Sequence, residues 1–447
     1  MARKTLTFIL LMFLVIIIAF AYKYYYPDIN SNSVNMFIHN NQSTVEDKDN
    51  ARFAIIGITA PGDVVDIHKY GQDLVNQSLA MYLDNEKKHI SSEAKLPVQQ
   101  NEIRKTFDSS KLNCWINDEP AREKCYSKDE LAKIVLDNKI LLDRYKYIMT
   151  YRKYDEGYIS LTPRQQILID LHKLFLASIK YSLQSNADLA FEELMRNLRF
   201  ERSMLSQPGT WIQKAIWLVM YGMSIKQLEY AVANNSDIAQ KNINQLNTIL
   251  TDLSIEEVNL DGVFKKEFDI INSLFCIDEK LGIQTKKYCE SRSNLVVVNA
   301  NFVMNAYYNK YLEYKKSMNL NVSEMTLWCN KMKSTEYDYY FGIFLHLPIY
   351  KTYIPYSLMA AGADKACMMI ISFKERSAIL QLMRVFLSIN GRFSNDRDIN
   401  NYLQSTAESD SITGLPFIYD TKNKLLKFPD GVSDYLKNQT MKLQTSL

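Results

Sequence analysis

The sequence predicts a mainly α-helical protein: antiparallel helical hairpins behind an N-terminal transmembrane helix, closed by a small C-terminal β-hairpin. Three observations carry this. Turn punctuation is sparse, with 13 Gly and 10 Pro in 447 residues, which favours long uninterrupted elements. Those elements are rich in Leu, Ile, Lys, Glu and Gln, all good helix formers. Helix-start signals recur at Ser127, Thr162, Thr210 and Ser254, each followed three residues later by Glu or Gln, the spacing of a capping box.

Hydrophobic residues make up 47% and charged residues 23%, the balance of a folded body rather than a disordered or multi-span one. The formal charge of +3 is spread along the chain without an arginine-rich block, so nothing calls for a nucleic-acid partner. The N-terminus is the exception to this evenness. After Arg3 and Lys4, an uncharged apolar run of 17 residues extends from Leu6 to Tyr22, followed by Lys23, Tyr24, Tyr25, Tyr26 and Pro27. That length reaches the lower end of the roughly 17 to 25 residues that span a bilayer, and tyrosines suit the interface. Residues 1–26 therefore read as a signal anchor; a leader cleaved after Ala21, at Ala19-x-Ala21, is the alternative. In either case the basic flank stays inside and the bulk is exported, which places the chain at a bacterial inner membrane with its mass in the periplasm. Residues 27–50, rich in Asn and Ser, read as a tether. Residues 51–447 form the extracytoplasmic domain, with a sub-boundary near 276–290.

Along that domain, Asp63 is placed to cap a helix from Val64 to about Leu83, weakened by Gly71 at about 1 kcal/mol. Ser127 and Glu130 open a helix that continues or restarts through Leu141, Leu142, Tyr145 and Ile148. Thr162, Pro163 and Gln165 open one running to about Gln184, with Leu168, Leu171, Phe175, Ile179 and Leu183 on one face. Asn186 and Asp188 turn the chain into a second helix through Phe191, Leu194 and Leu198. Ser178, Tyr181, Ala190 and Leu194 give this hairpin a partial tetratricopeptide spacing, without a second copy at a period of about 34 residues. Further helices follow Thr210 and Ser254, and others run from about Val297 to Lys316 and from about Met369 to Ile389. Short apolar runs at Phe417 to Tyr419 and Leu425 to Phe428 flank Asp420-Thr421-Lys422-Asn423 and predict the hairpin, within residues 415–430.

Six cysteines, an even number, suit an oxidising compartment. Sequence proximity pairs Cys114 with Cys125 and Cys276 with Cys289, leaving Cys329 for Cys367. No C-x-x-C occurs and no His stands at zinc-finger spacing, so neither a metal nor another cofactor is expected. Phosphate-binding glycine loops are absent as well. The histidines His39, His68, His89, His172 and His346 are scattered. His172 lies close to Asp170 but has no second His at i+4, and a hydrogen-bonded core histidine is the better account. Glu192 and Glu193 are a weak candidate for a carboxylate pair. Among 29 tyrosines, Tyr337, Tyr340, Tyr350, Tyr353 and Tyr356 could line a groove for a peptide, glycan or lipid.

The stretch from Phe373 to Phe428 carries Arg376 and Leu380 on a helix and then Asp410-Ser411-Ile412-Thr413-Gly414-Leu415-Pro416-Phe417-Ile418-Tyr419. It resembles the D-P-F-T-G-x-P-L-x-Y hairpin module of uncharacterised single-pass, exported helical proteins of proteobacteria and, more loosely, of pilin-like proteins. Asp-Ser-Ile replaces Asp-Pro-Phe here, and Arg392-Phe393-Ser394 stands where Tyr-Pro is common. Residues Asn50 to Gly71 and the Cys114 to Cys125 region also look like the opening of such proteins. The resemblance implies export and a helical body with a terminal hairpin, and brings no agreed activity. With no catalytic motif legible, the expectation is a noncatalytic, membrane-anchored binding or scaffold protein whose partner is another envelope protein. An exported hydrolase acting on cell-wall or lipid material, and a lipid carrier, are the alternatives.

Overall fold

The computed structural model describes residues 45–87, 101–117, 125–155, 165–254, 257–274, 300–331, 353–390, 392–393, 395–406 and 408–443. The apolar run Leu6 to Tyr22, nearly all of the tether, the Thr162-Pro163 start signal, Cys276 and Cys289 lie outside these residues. Among the described residues, no helix is long and apolar enough to cross a membrane.

The chain is mainly helical with one small antiparallel sheet, and it divides into two compact units. The larger unit comprises Ser43–Val263, Met318–Lys331 and Asp364–Leu447. Its first helices are α1 (Ala51–Ile56) and α2 (Ile67–Lys87). These meet backbone to backbone: a Cβ on Gly71 would stand 1.9 Å from the Phe53 carbonyl oxygen, and one on Gly57 would stand 1.9 Å from that of Ile67. Phe53 and Ile56 then pack on Leu74 and Val75. Gly71, which weakens the helix as a local element, is what allows this approach. Helix α2 begins at Ile67 and not at Val64, and its capping carboxylate is Asp66, which accepts from the Lys69 N–H at 2.9 Å. The expected cap Asp63 is displaced because residues 58–64 are committed elsewhere. The buried Arg144 guanidinium donates to the carbonyls of Ile58 (3.1 Å), Ala60 (2.5 Å), Pro61 (2.8 Å) and Val64 (3.1 Å), which fixes them as a turn.

The short α3 (Asn113–Asn117) is tied to the segment before the next helix by the disulfide Cys114–Cys125. A clasp of this loop length stabilises by about 3 kcal/mol in the chain-entropy account. Helices α4 (Lys128–Asp137) and α5 (Lys139–Ile148) are separated at Asn138, so the pattern through Ile148 restarts rather than continues. Ser127 and Glu130 form the capping box in full. Next come α6 (Gln165–Ser182), α7 (Ala187–Ser206) and α8 (Trp211–Asn234), whose apolar faces build most of the core. Thr210 and Gln213 cap α8 reciprocally, as read from the sequence. Two short helices follow, α9 (Ser236–Lys241) and α10 (Ile243–Ile249). Ser254 and Glu257 exchange both capping-box bonds, but the regular helix α11 (Leu260–Leu274) begins later, with Asn259 accepting from the Gly262 N–H.

The smaller unit contributes α12 (Ala300–Ser317), in which Tyr311 and Tyr314 pack on Phe264 with ring centroids 5.1 and 5.5 Å apart. The chain continues with α13 (322–331) and α14 (Tyr353–Ile389). Pro355 falls in the first turn of α14, where its missing N–H costs nothing. The disulfide Cys329–Cys367 joins α13 to α14 within the larger unit. The end of the chain holds α15 (Asp396–Ser405), β1 (Ile418–Asp420), β2 (Leu425–Lys427), α16 (Asp434–Lys437) and β3 (Thr440–Lys442). The expected hairpin is therefore two strands of a three-stranded antiparallel sheet of order β1-β2-β3. Three residues of β3 are too few to show a period.

Candidate functional site

Two features stand out from the packing: a sealed polar cluster among the core helices, and an open cleft beside β3. The cluster contains His172, the histidine that the sequence singles out. His172 Nε2 lies 3.1 Å from the Met220 carbonyl of α8, and Nδ1 lies 2.9 Å from Tyr145 Oη of α5 and 3.3 Å from Glu201 Oε1 of α7. Tyr145 Oη donates to Asn197 Oδ1 at 3.0 Å, and Asn197 Nδ2 donates to Ser224 Oγ at 2.9 Å. A carbonyl only accepts, so Nε2 bears the hydrogen and Nδ1 presents a lone pair. Burial agrees with this, holding the imidazole pKa down at about 3.

Tyr145 has one hydroxyl proton and two acceptors in reach. When it donates to Asn197, the donor left for Nδ1 is a protonated Glu201. Burial pushes the Glu201 carboxyl up to about 8, against smaller opposing effects of Ser224 and Asn197. Neither of its oxygens meets a donor with good hydrogen-bond geometry, as suits a neutral acid better than a carboxylate. His172 and Glu201 are both 0% exposed, so no substrate reaches them from solvent. The cluster joins α5, α6, α7 and α8 through buried polar contacts.

The other residues weighed for chemistry separate. Asp170 turns away from His172 to pair with Lys105 and to accept from Gln166 Nε2 at 2.9 Å. Glu193 pairs with Lys146 at 2.5 Å, while Glu192 is exposed, so the two do not converge. Lys214 is buried with its Nζ donating to the carbonyls of Leu205 and Gln207 at the end of α7, and burial lowers its pKa to about 7. Among the described residues no group of three or more His, Cys, Asp or Glu is placed to hold a metal ion. Tyr337, Tyr340 and Tyr350, expected to line an aromatic groove, lie outside the described residues, as do the side chains of Tyr353 and Tyr356.

The cleft has a volume of about 480 Å³ and lies in the larger unit, between the C-terminal half of α8, the C-terminal end of α14 and residues 438–442. Its apolar lining includes Tyr230, Val232, Met383, Phe386 and Met441. Lys226 and Lys442 bring charge to it, with Glu229 as the carboxylate of the lining. β3 is an edge strand. Leu443 donates its N–H to the Lys424 carbonyl at 2.8 Å, and Met441 stands opposite Leu426. Because successive residues of an antiparallel strand alternate in direction, the main-chain groups of Thr440 and Lys442 face away from β2. An unpaired strand edge therefore borders an open cleft, the arrangement that pairs with an added strand.

Nothing in the sequence marks this place, since its parts are some 200 residues apart and β3 is short. The hairpin beside it is legible. Buried Asp410 accepts from the N–H groups of Ile412 (3.1 Å) and Thr413 (2.9 Å) and from the Thr413 hydroxyl (2.7 Å), and Gly414 adopts φ +73°. Asp, Thr and Gly of the motif are thus turn-forming residues. Tyr419 Oη donates to Asp396 at 2.9 Å, and Lys424 Nζ lies 2.6 Å from the same carboxylate, which docks the hairpin on α15. Compared with protein-family models, with curated proteins and with solved structures, the chain finds no match.

Proposed function

We propose that this chain is a membrane-anchored, extracytoplasmic binding protein that takes up an extended segment of a partner protein by strand addition to β3. The observation that carries the reading is the free edge of β3 on an open cleft with an apolar lining: main-chain hydrogen bonds would supply affinity and the lining would select side chains. The disulfides Cys114–Cys125 and Cys329–Cys367 support an oxidising compartment, and the apolar leader with its basic flank supports the anchor. The partial tetratricopeptide spacing of α6 and α7 belongs to the same reading, as a helical scaffold that holds the cleft. A hydrolase built on His172 would need access that its enclosure denies.

The test uses Thr440→Pro, which removes an outward N–H while leaving the bonds to β2 in place. Affinity capture of the intact membrane protein is expected to recover a stoichiometric partner from the wild type and to lose it from this variant. Equal recovery by both proteins, or no partner from the wild type, would refute the proposal.

A further inference from the structure

The charge of the cleft says more about its occupant. Lys226, on α8, and Lys442, on β3, both line it, and neither takes part in an ion pair among the described residues. The one carboxylate of the lining among the described residues, Glu229, already has an interaction inside the protein. A third cation stands behind the apolar lining: Lys180, 7% exposed, holds its Nζ 4.2 Å from the centre of the Tyr230 ring. That ring is therefore polarised from behind by a buried positive charge. Two ammonium groups with no ion pair among the described residues, against one engaged carboxylate among the described lining, make the cleft electropositive, and a low-dielectric wall concentrates such a field.

A strand added to β3 would alternate its side chains, one set facing the apolar lining at half-buried Tyr230 and the other able to meet the lysines. Resting on the strand-addition reading above, we infer that the segment bound there is acidic: an extended polypeptide alternating apolar residues with Asp or Glu. Its apolar set fills the lining, its carboxylates meet Lys226 and Lys442, and its main chain pairs with Thr440 and Lys442.

The test is fluorescence anisotropy with the full chain in a neutral detergent and three labelled hexapeptides, alternating Val with Glu, with Lys or with Ser. The Glu peptide is expected to bind about tenfold more tightly than the Ser peptide, the sum of two partly exposed ion pairs, and the Lys peptide more weakly than either. Raising the salt narrows these gaps. The double variant Lys226→Glu/Lys442→Glu, at one half-buried and one exposed position, is expected to reverse the order. Equal binding of the three peptides, with Thr440→Pro still abolishing it, overturns the acidic assignment and leaves strand addition standing. Binding of no peptide, or binding indifferent to Thr440→Pro, overturns both. A urea midpoint for each variant, matching the wild type, shows that loss of binding is not loss of fold.

Discussion

Replacing Gly71 by Ala separates two physical accounts by the sign of the result. As a local matter the change helps, because Ala is favoured over Gly inside a helix by about 1 kcal/mol. The α1–α2 contact says the opposite. The new Cβ would lie 1.9 Å from the Phe53 oxygen, 2.8 Å from its carbonyl carbon and 2.9 Å from the Gly57 nitrogen, and none of these is a side chain that can swing aside. Ordinary contact needs about 3.4 Å, so α1 must retreat by more than about 1 Å. Every residue of α1 is buried, and the retreat also opens the packing of Phe53 and Ile56 on Leu74 and Val75. Overpacking of a side chain costs about 1–3 kcal/mol, and a backbone clash belongs at or above the top of that range. Net of the helix gain, Gly71→Ala should destabilise by roughly 2 kcal/mol or more. Urea unfolding of the full chain measures this, with Gly62→Ala as the control. A Cβ at Gly62 meets nothing closer than 3.9 Å, and its variant should stay within about 0.5 kcal/mol of the wild type. A Gly71→Ala protein as stable as the wild type would refute the account of the helix contact.

Glu201→Gln keeps a neutral group in the polar cluster and removes a titration. The folded protein holds the Glu201 proton up to about pH 8, whereas the unfolded chain releases it near 4.5, so the wild type loses stability as pH rises through that interval. Relative to the Gln variant the loss is about 1.4 kcal/mol per pH unit, on the order of 5 kcal/mol in all, while His172 and Lys214 titrate in both proteins and cancel. Urea midpoints that stay parallel from pH 5 to 8 would show that Glu201 is already ionised. Arg144→Lys replaces a fork serving four carbonyls by a single ammonium and should cost about 2 kcal/mol or more in the same assay. Gly414→Ala should cost about 1 kcal/mol from its positive φ alone, since nothing lies within 4 Å of the added carbon. Peptide mapping without reductant should recover Cys114 joined to Cys125 and Cys329 to Cys367, and finding these four as free thiols would contradict the fold.

What the sequence discloses here is what acts over a few residues. The capping boxes at Ser127 and Thr210 need only a hydroxyl and a Glu or Gln three positions on, and the Asp410 turn needs only Asp, Thr and Gly at fixed offsets. The helix faces of α6 and α7 are legible because their apolar spacing matches the helical period. Reading fails where distant chain decides. Asp66 caps α2 in place of Asp63 because Arg144, some 80 residues on, claims the carbonyls of Ile58, Ala60, Pro61 and Val64 on either side of Asp63. Gly71 looks like a flaw until α1 is laid against it. The His172 cluster draws on four helices from Tyr145 to Ser224, and no spacing rule links an acid on one helix to an imidazole on another. The cleft is further from view still, because it is formed by the side of one helix, the C-terminal end of another and the rim of a three-residue strand.

The bond between Cys329 and Cys367 sits where the chain leaves the larger unit and where it comes back. The 37 residues between them form a covalently closed ring, which a protease could open at any point without releasing either flank. After such a nick the two fragments would still migrate as one molecule until a reductant was added. Insertions into that ring, whatever their length, would leave the positions of α13 and the later part of α14 pinned to each other.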